Sequence, residues 1–121
     1  LLVNIIMFDF EKLTVYQKSK AIRTIINRAL FNKKNVDRSI ADQIRRSLLG
    51  IILNIAEGTG KSSNADKRNF FTIARGSTYE TAAIADLLFE DKVISAEEHK
   101  IIYNNLEEIS KMLFGLISSL R

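Results

Sequence analysis

The sequence predicts an all-α chain folded as an antiparallel up-down-up-down four-helix bundle. Three observations predict it. Proline is absent and glycine occurs only five times, so the chain lacks the turn residues that a sandwich or barrel needs about every 8–12 residues. Four long segments repeat their apolar residues at threes and fours, the period of a helix with one buried face. The connections between them are short and polar. Helices of about 20–26 residues, hence about 30–39 Å long, joined in this way pack side by side in alternating directions.

Residues 1–7, mostly apolar, are expected to form a flexible N-terminal extension ahead of a single bundle domain over 8–121. The run is far shorter than the roughly 20 residues of a membrane span and lacks the basic start of a signal peptide. A cytoplasmic protein with no membrane role is therefore expected. The first helix is predicted from about Glu11 to Leu30, with Leu13, Tyr16, Ile22, Ile25, Ile26 and Ala29 facing inward. The polar run Phe31-Asn-Lys-Lys-Asn35 turns the chain. The second helix follows from Val36 or Asp37 to Glu57 on the stripe Ile40, Ile44, Leu48, Ile51, Ile52 and Ile55. Gly58 is expected just past its end, where glycine takes the left-handed conformation cheaply.

After the loop Gly58–Asn64, Ser63 and Asp66 have the spacing of a capping box for the third helix. That helix should run to about Asp91 with Phe70, Ile73, Ala74, Ser77, Thr81, Ile84, Ala85 and Leu88 inward. Ser95 is placed to cap the fourth helix, with Glu97 and Glu98 in its first turn, where the helix dipole favours acids. Ile101, Ile102, Leu106, Ile109, Leu113, Leu116, Ile117 and Leu120 complete the pattern. The tail from Met112 to Leu120 is apolar nearly all round, which predicts contact with another copy of the chain.

Composition removes most chemistries. Without cysteine there is no disulfide, thiolate zinc site or Cys nucleophile, and the lone His99 cannot build a His-rich metal site. His99 itself reads as a solvated residue of the fourth helix. Glu57 and Glu80 have no sequence-local acid, histidine or metal partner with which to perform hydrolysis. Gly60-Lys61-Ser62 has the tail of a phosphate-binding loop, but Ile55 stands where that motif needs its first glycine, and a helix precedes it in place of a strand. An interhelical turn explains it. No catalytic residue, cofactor or metal is expected, and the chain reads as a non-enzyme.

Charge is the more informative feature. The net charge is +4, yet residues 1–76 hold 14 Lys+Arg against 6 Asp+Glu (+8), and residues 77–121 hold 4 against 8 (−4). Such asymmetry suits either a polyanion or complementary surfaces that pair between chains. Lys18, Lys20, Arg23 and Arg28 populate the first helix, and Arg38 and Arg45 lie one heptad apart on the second. Lys61, Lys67 and Arg68 gather at the start of the third, where free N–H groups could help to hold an anion. These nine are the candidate nucleic-acid contacts, neutralising phosphates without reading sequence. The aromatics fall mostly at core-type positions, so no base-stacking platform is visible. Arg46 and Arg75 read either as phosphate contacts or as partners of Glu57 and Glu80 in Arg-carboxylate pairs that fix helix register, and Asn54 joins them in a structural or assembly motif. Gly76, inside a helix at a cost of about 1 kcal/mol relative to Ala, suggests close approach by a neighbouring backbone, from this chain or another subunit.

The runs Phe10-Glu-Lys-Leu-Thr-Val-Tyr-Gln-Lys18, Gln43-Ile-Arg-Arg46, Asn54-Ile-Ala-Glu-Gly58 and Ile73-Ala-Arg-Gly-Ser77, with Glu80, occur in order. In this the chain resembles the four-helix-bundle family encoded in intervening sequences of bacterial 23S rRNA genes, sometimes labelled ribosomal-protein-like. The likeness spans the chain from Phe8 onward. It implies a ring-shaped homopentamer and no enzymatic activity. It also extends to the accessory variability determinant of diversity-generating retroelements, a basic pentamer proposed to bind nucleic acid and a reverse transcriptase. Carried over by position, Arg45, Arg46, Asn54, Glu57, Arg75 and Glu80 are the motif residues. Two departures stand out: Phe31-Asn32 replaces a common Phe-Pro pair, and no proline occurs near Ile52, so the second helix should lose a kink. The leading expectation is thus an oligomeric bundle that binds RNA or DNA by charge. The alternative is a protein-interaction scaffold with no nucleic-acid role, its Arg/Glu motif serving subunit assembly.

Overall fold

A computed structural model describes residues 8–121, so the expected N-terminal extension, residues 1–7, lies outside the described residues. A 3-10 turn, Asp9–Lys12, leads into α1 (Thr14–Leu30), α2 (Arg38–Thr59), α3 (Asn64–Glu90) and α4 (Ala96–Ser119). The four helices form the expected bundle. α2 packs along α3 and α3 along α4, while α1 closes the ring of contacts by touching α4 and α2 less extensively.

The first helix starts later than its periodicity suggested. The Glu11 carboxylate accepts the Phe8 N–H at 3.1 Å, and Leu13 is extended, which breaks the helix before Thr14. Stacking of Phe8 on Phe10 and an edge-to-face contact of Phe10 with Tyr16 tie this turn to α1. At the other end of α1, Asn32 takes the left-handed conformation, φ 62°. A proline could not stand there, because its ring holds φ near −65°.

Asp37 begins α2: its Oδ1 accepts the N–H groups of Ser39 at 2.8 Å and Ile40 at 3.3 Å. The helix runs unbroken past Ile52 and ends only at Thr59. Gly58 is therefore inside α2, buried, and no glycine among the described residues has positive φ. Its role is proximity. A Cβ at Gly58 would stand 2.7 Å from Cε1 of Phe71 and 3.2 Å from Cβ of Phe70.

Ser63 Oγ accepts the Asp66 N–H at 3.1 Å, one half of the expected box. The Ser95–Glu98 box is complete, with Glu98 N–H to Ser95 Oγ at 3.0 Å and Ser95 N–H to Glu98 Oε1 at 2.9 Å. Lys92, also left-handed, precedes the Val93 N–H bond to Leu88 O at 2.9 Å, and this turn drives Val93 and Ile94 into the core.

The core is a column of branched aliphatics: Ile22 and Ile26 from α1, Ile44, Leu48, Ile51 and Ile55 from α2, Ile102, Leu106, Ile109 and Leu113 from α4. Each such side chain, fully buried, contributes about 1.5–3 kcal/mol. The face of α3 differs from the predicted stripe. Phe71 is buried where Phe70 was expected, Ile73 is exposed, and Ser77 is half-buried, with Thr78 enclosed beside Ala74 and Thr81. The polar residues inside are satisfied locally. Thr78 Oγ1 donates to Ala74 O, Ser19 Oγ to Val15 O and Ser47 Oγ to Ile44 O, while the Thr81 hydroxyl lies 2.7 Å from Ser47 Oγ. In the tail of α4, Leu113 is buried and Met112, Leu116, Ile117 and Leu120 are half-buried, which leaves Phe114 as its exposed large apolar side chain.

Candidate nucleic-acid interface

The basic residues divide by what holds them. Lys18 on α1 pairs with Glu108 of α4, and Lys20 lies over the Tyr16 ring at 5.0 Å. The three cations at the start of α3 are engaged within the chain. Lys61 sits 3.6 Å from Glu57 and 4.9 Å from the Phe70 centroid, Lys67 donates to Thr59 O at 2.9 Å, and Arg68 donates to Leu120 O. They close the α2–α3 corner onto the end of α4.

Five further arginines lie on α1 and α2. Among the described residues Arg23, Arg28, Arg38 and Arg46 form no ion pair, and all four are exposed. Arg45 reaches only Asp42, one turn earlier on its own helix, at 3.6 Å. Surface pairs of this kind are worth about 0–1 kcal/mol and leave a guanidinium available. Antiparallel packing brings Arg23 and Arg45 to one groove of about 410 Å³, whose other walls are Asn27, Phe31, Leu48 and Leu49. No carboxylate lines it.

The family-type motif residues are not gathered into one cluster. Glu80 accepts from Gln43 Nε2 across α2 and α3, Asn54 Nδ2 donates to Gly50 O at 2.8 Å, and Glu57 takes Lys61. No arginine among the described residues pairs with Glu57 or Glu80, so the register-fixing Arg-carboxylate pairs do not form within the chain. Arg75 instead points to α4. Its Nε donates to Ser110 O at 3.3 Å, its Nη2 to Tyr79 Oη at 3.2 Å, and its guanidinium lies 5.1 and 5.2 Å from the Tyr79 and Phe114 rings. Gly76 has nothing within 4 Å of a notional Cβ, so no other backbone among the described residues approaches it. The close approaches of α2 to α3 occur instead at Gly58 and at Gly50, where a Cβ would stand 2.7 Å from Ser77 Oγ.

His99 is half-buried rather than solvated: its ring stacks on Phe89 at 4.7 Å and its Nε2 lies 3.6 Å from Asp86 Oδ1. Among the described residues no group of three or more His, Cys, Asp or Glu could hold a metal ion, and no helix is long and apolar enough to cross a membrane. Sequence reasoning missed the exposed aromatics. Phe31 is 75% exposed, and Tyr79, Tyr103 and Phe114 are more than half exposed. Phe31 sits one residue past α1 and outside its apolar stripe, which was the available signal.

Fold and surface together define an antiparallel helical bundle with an arginine-bearing α1/α2 face and an aromatic α3/α4 face. The chain belongs to the 23S rRNA-intervening sequence protein family, whose model matches residues 11–115. It is also similar to a crystal structure from Bacteroides thetaiotaomicron VPI-5482, a protein of unknown function from the S23 ribosomal protein family. That match has 32% identity and a TM-score of 0.79, over 86% of this chain and 95% of the other. No curated protein matches the chain.

Proposed function

We propose that this chain is a non-enzymatic, self-associating bundle that binds RNA or DNA by charge, through the face built by α1 and α2. The observation that carries the reading is Arg23 and Arg45, gathered at one α1/α2 groove that no carboxylate lines among the described residues, with Arg38 and Arg46 exposed elsewhere on α2 and Arg28 at the α1/α4 groove beside Glu98. Guanidiniums in this state release counterions from a phosphate backbone when they bind it, and affinity then falls steeply with salt. The test is an electrophoretic shift with a structured RNA across a salt series. Binding at 50 mM salt should weaken by orders of magnitude at 200 mM, and Arg23→Glu with Arg45→Glu should flatten the log–log slope by about 2. Absent binding at low salt, or binding indifferent to salt, overturns the reading.

A second reading, an assembly scaffold without nucleic acid, is favoured by the other face. Half-buried Arg75 and exposed Tyr79 and Phe114 surround an outer α3/α4 groove with Thr72, Gly76 and Ile117, and arginine and aromatic side chains are the residue types that dominate interface energetics. The acidic second half of the chain supplies charge to meet the basic first half of a neighbour. The family resemblance supports five copies. Sedimentation at micromolar concentration tests association, and a monomer there counts against self-association in either reading.

A further inference from the structure

We infer that the α1/α2 groove takes an unpaired, unstacked base on the Phe31 ring, with neighbouring phosphates on Arg23 and Arg45, so that the protein prefers single-stranded or looped nucleic acid to duplex. The inference rests on the charge-binding reading above and names the form of polymer that it takes.

Phe31 is the most exposed large apolar residue among the described residues, yet it is not on a loose segment. Its N–H is bonded to Arg28 O at 3.2 Å, Asn32 turns left-handed behind it, and the Lys33 N–H returns to Leu30 O at 3.1 Å. The ring is thus presented on a fixed turn at the wall of the groove that Arg23 and Arg45 line. Asn27 in the same wall makes no side-chain hydrogen bond to the described residues. Its amide offers both a donor and an acceptor to a base edge. Leu48 and Leu49 complete the lining with apolar surface. An aromatic face beside guanidiniums is how proteins hold single strands: the base stacks and the backbone is neutralised. A duplex keeps its bases stacked on each other and could use only the arginines.

The chain contains no tryptophan, so Phe31→Trp installs a single indole reporter at an exposed position where the fold is not at stake. Oligouridylate RNA, oligothymidylate DNA and a blunt-ended duplex would be titrated into this variant at low salt. The two single strands should quench the indole and the duplex should not. In parallel, Phe31→Ala should weaken single-strand binding about tenfold or more, leave duplex binding within about twofold, and keep the salt slope unchanged. Salt-dependent binding that is equally tight in Phe31→Ala, with no quenching in Phe31→Trp, overturns the base contact and leaves the charged face standing. No binding of any of the three polymers overturns both.

Discussion

Gly58 of α2 lies against Phe71 of α3 so closely that a methyl group on the glycine would overlap the ring, 2.7 Å from Cε1 and 3.0 Å from Cδ1. Phe71 is 3% exposed and cannot swing into solvent without opening the core. Gly58→Ala sets a helix-propensity gain of about 1 kcal/mol against overpacking of about 1–3 kcal/mol. The net effect should be a loss of about 1 kcal/mol, read as a lower midpoint in urea. Gly50→Ala should cost less, because the atom it meets is the Ser77 hydroxyl, which can rotate.

Gly76 makes the opposite case. With open space around it, Gly76→Ala should stabilise the isolated chain by about 1 kcal/mol, measured by the same denaturation. Sedimentation of the same variant adds a second readout. A chain that is more stable but associates less well places Gly76 against a neighbouring copy.

The buried hydroxyl pair Ser47 and Thr81, 2.7 Å apart, joins α2 to α3. Each hydroxyl also has a carbonyl within reach, Ile44 O for Ser47 and Ser77 O for Thr81, so removing one leaves the other satisfied. Thr81→Val and Ser47→Ala should each cost about 1 kcal/mol, and a double-mutant cycle should return a coupling of about 0.5–1.5 kcal/mol.

Glu98 links pH to stability. The Ser95 backbone N–H, then Lys33 at 3.5 Å, hold its carboxyl below the ordinary value of 4.5. The unfolded chain therefore binds the proton more tightly, and the stabilisation is full above pH 4.5 and disappears as pH falls through the lower folded value. Asp37, held below its ordinary 3.8 first by the Ser39 hydroxyl and then by the Ile40 and Ser39 N–H groups, acts in the same direction at lower pH. Thermal melts across pH 2–7 should show Glu98→Gln less stable than the parent at neutrality, with a shallower decline below about pH 4.5.

The bundle was legible because its signals are local. Ser63, Ser95 and the threes-and-fours stripes act within a turn or two of themselves, and they placed the helix starts of α3 and α4 within a residue or two. Gly58 was misread for the opposite reason. The run Asn54–Gly58 looks like a helix end, but what requires glycine there is Phe71, on a different helix. The exchange of Phe70 for Phe71 follows from the same contact, since the ring that fills the space beside Gly58 is the one turned inward. In the candidate interface, the heptad spacing of Arg38 and Arg45 was visible. The partners Glu108, Leu120 and Ser110, which engage Lys18, Arg68 and Arg75, come from α4 and its end. No spacing rule connects residues so far apart in the chain.

α1 is the helix least gripped by its neighbours, and it also carries Arg23, Arg28 and, at its exit, Phe31. Amide protons of a lightly docked helix exchange through partial openings that cost less than global unfolding. A polymer that bridges α1 to Arg45 on α2 would have to suppress those openings, so α1 amides should slow more than those of α3 when the groove is occupied. In this molecule the most lightly packed helix is the one a ligand would clamp.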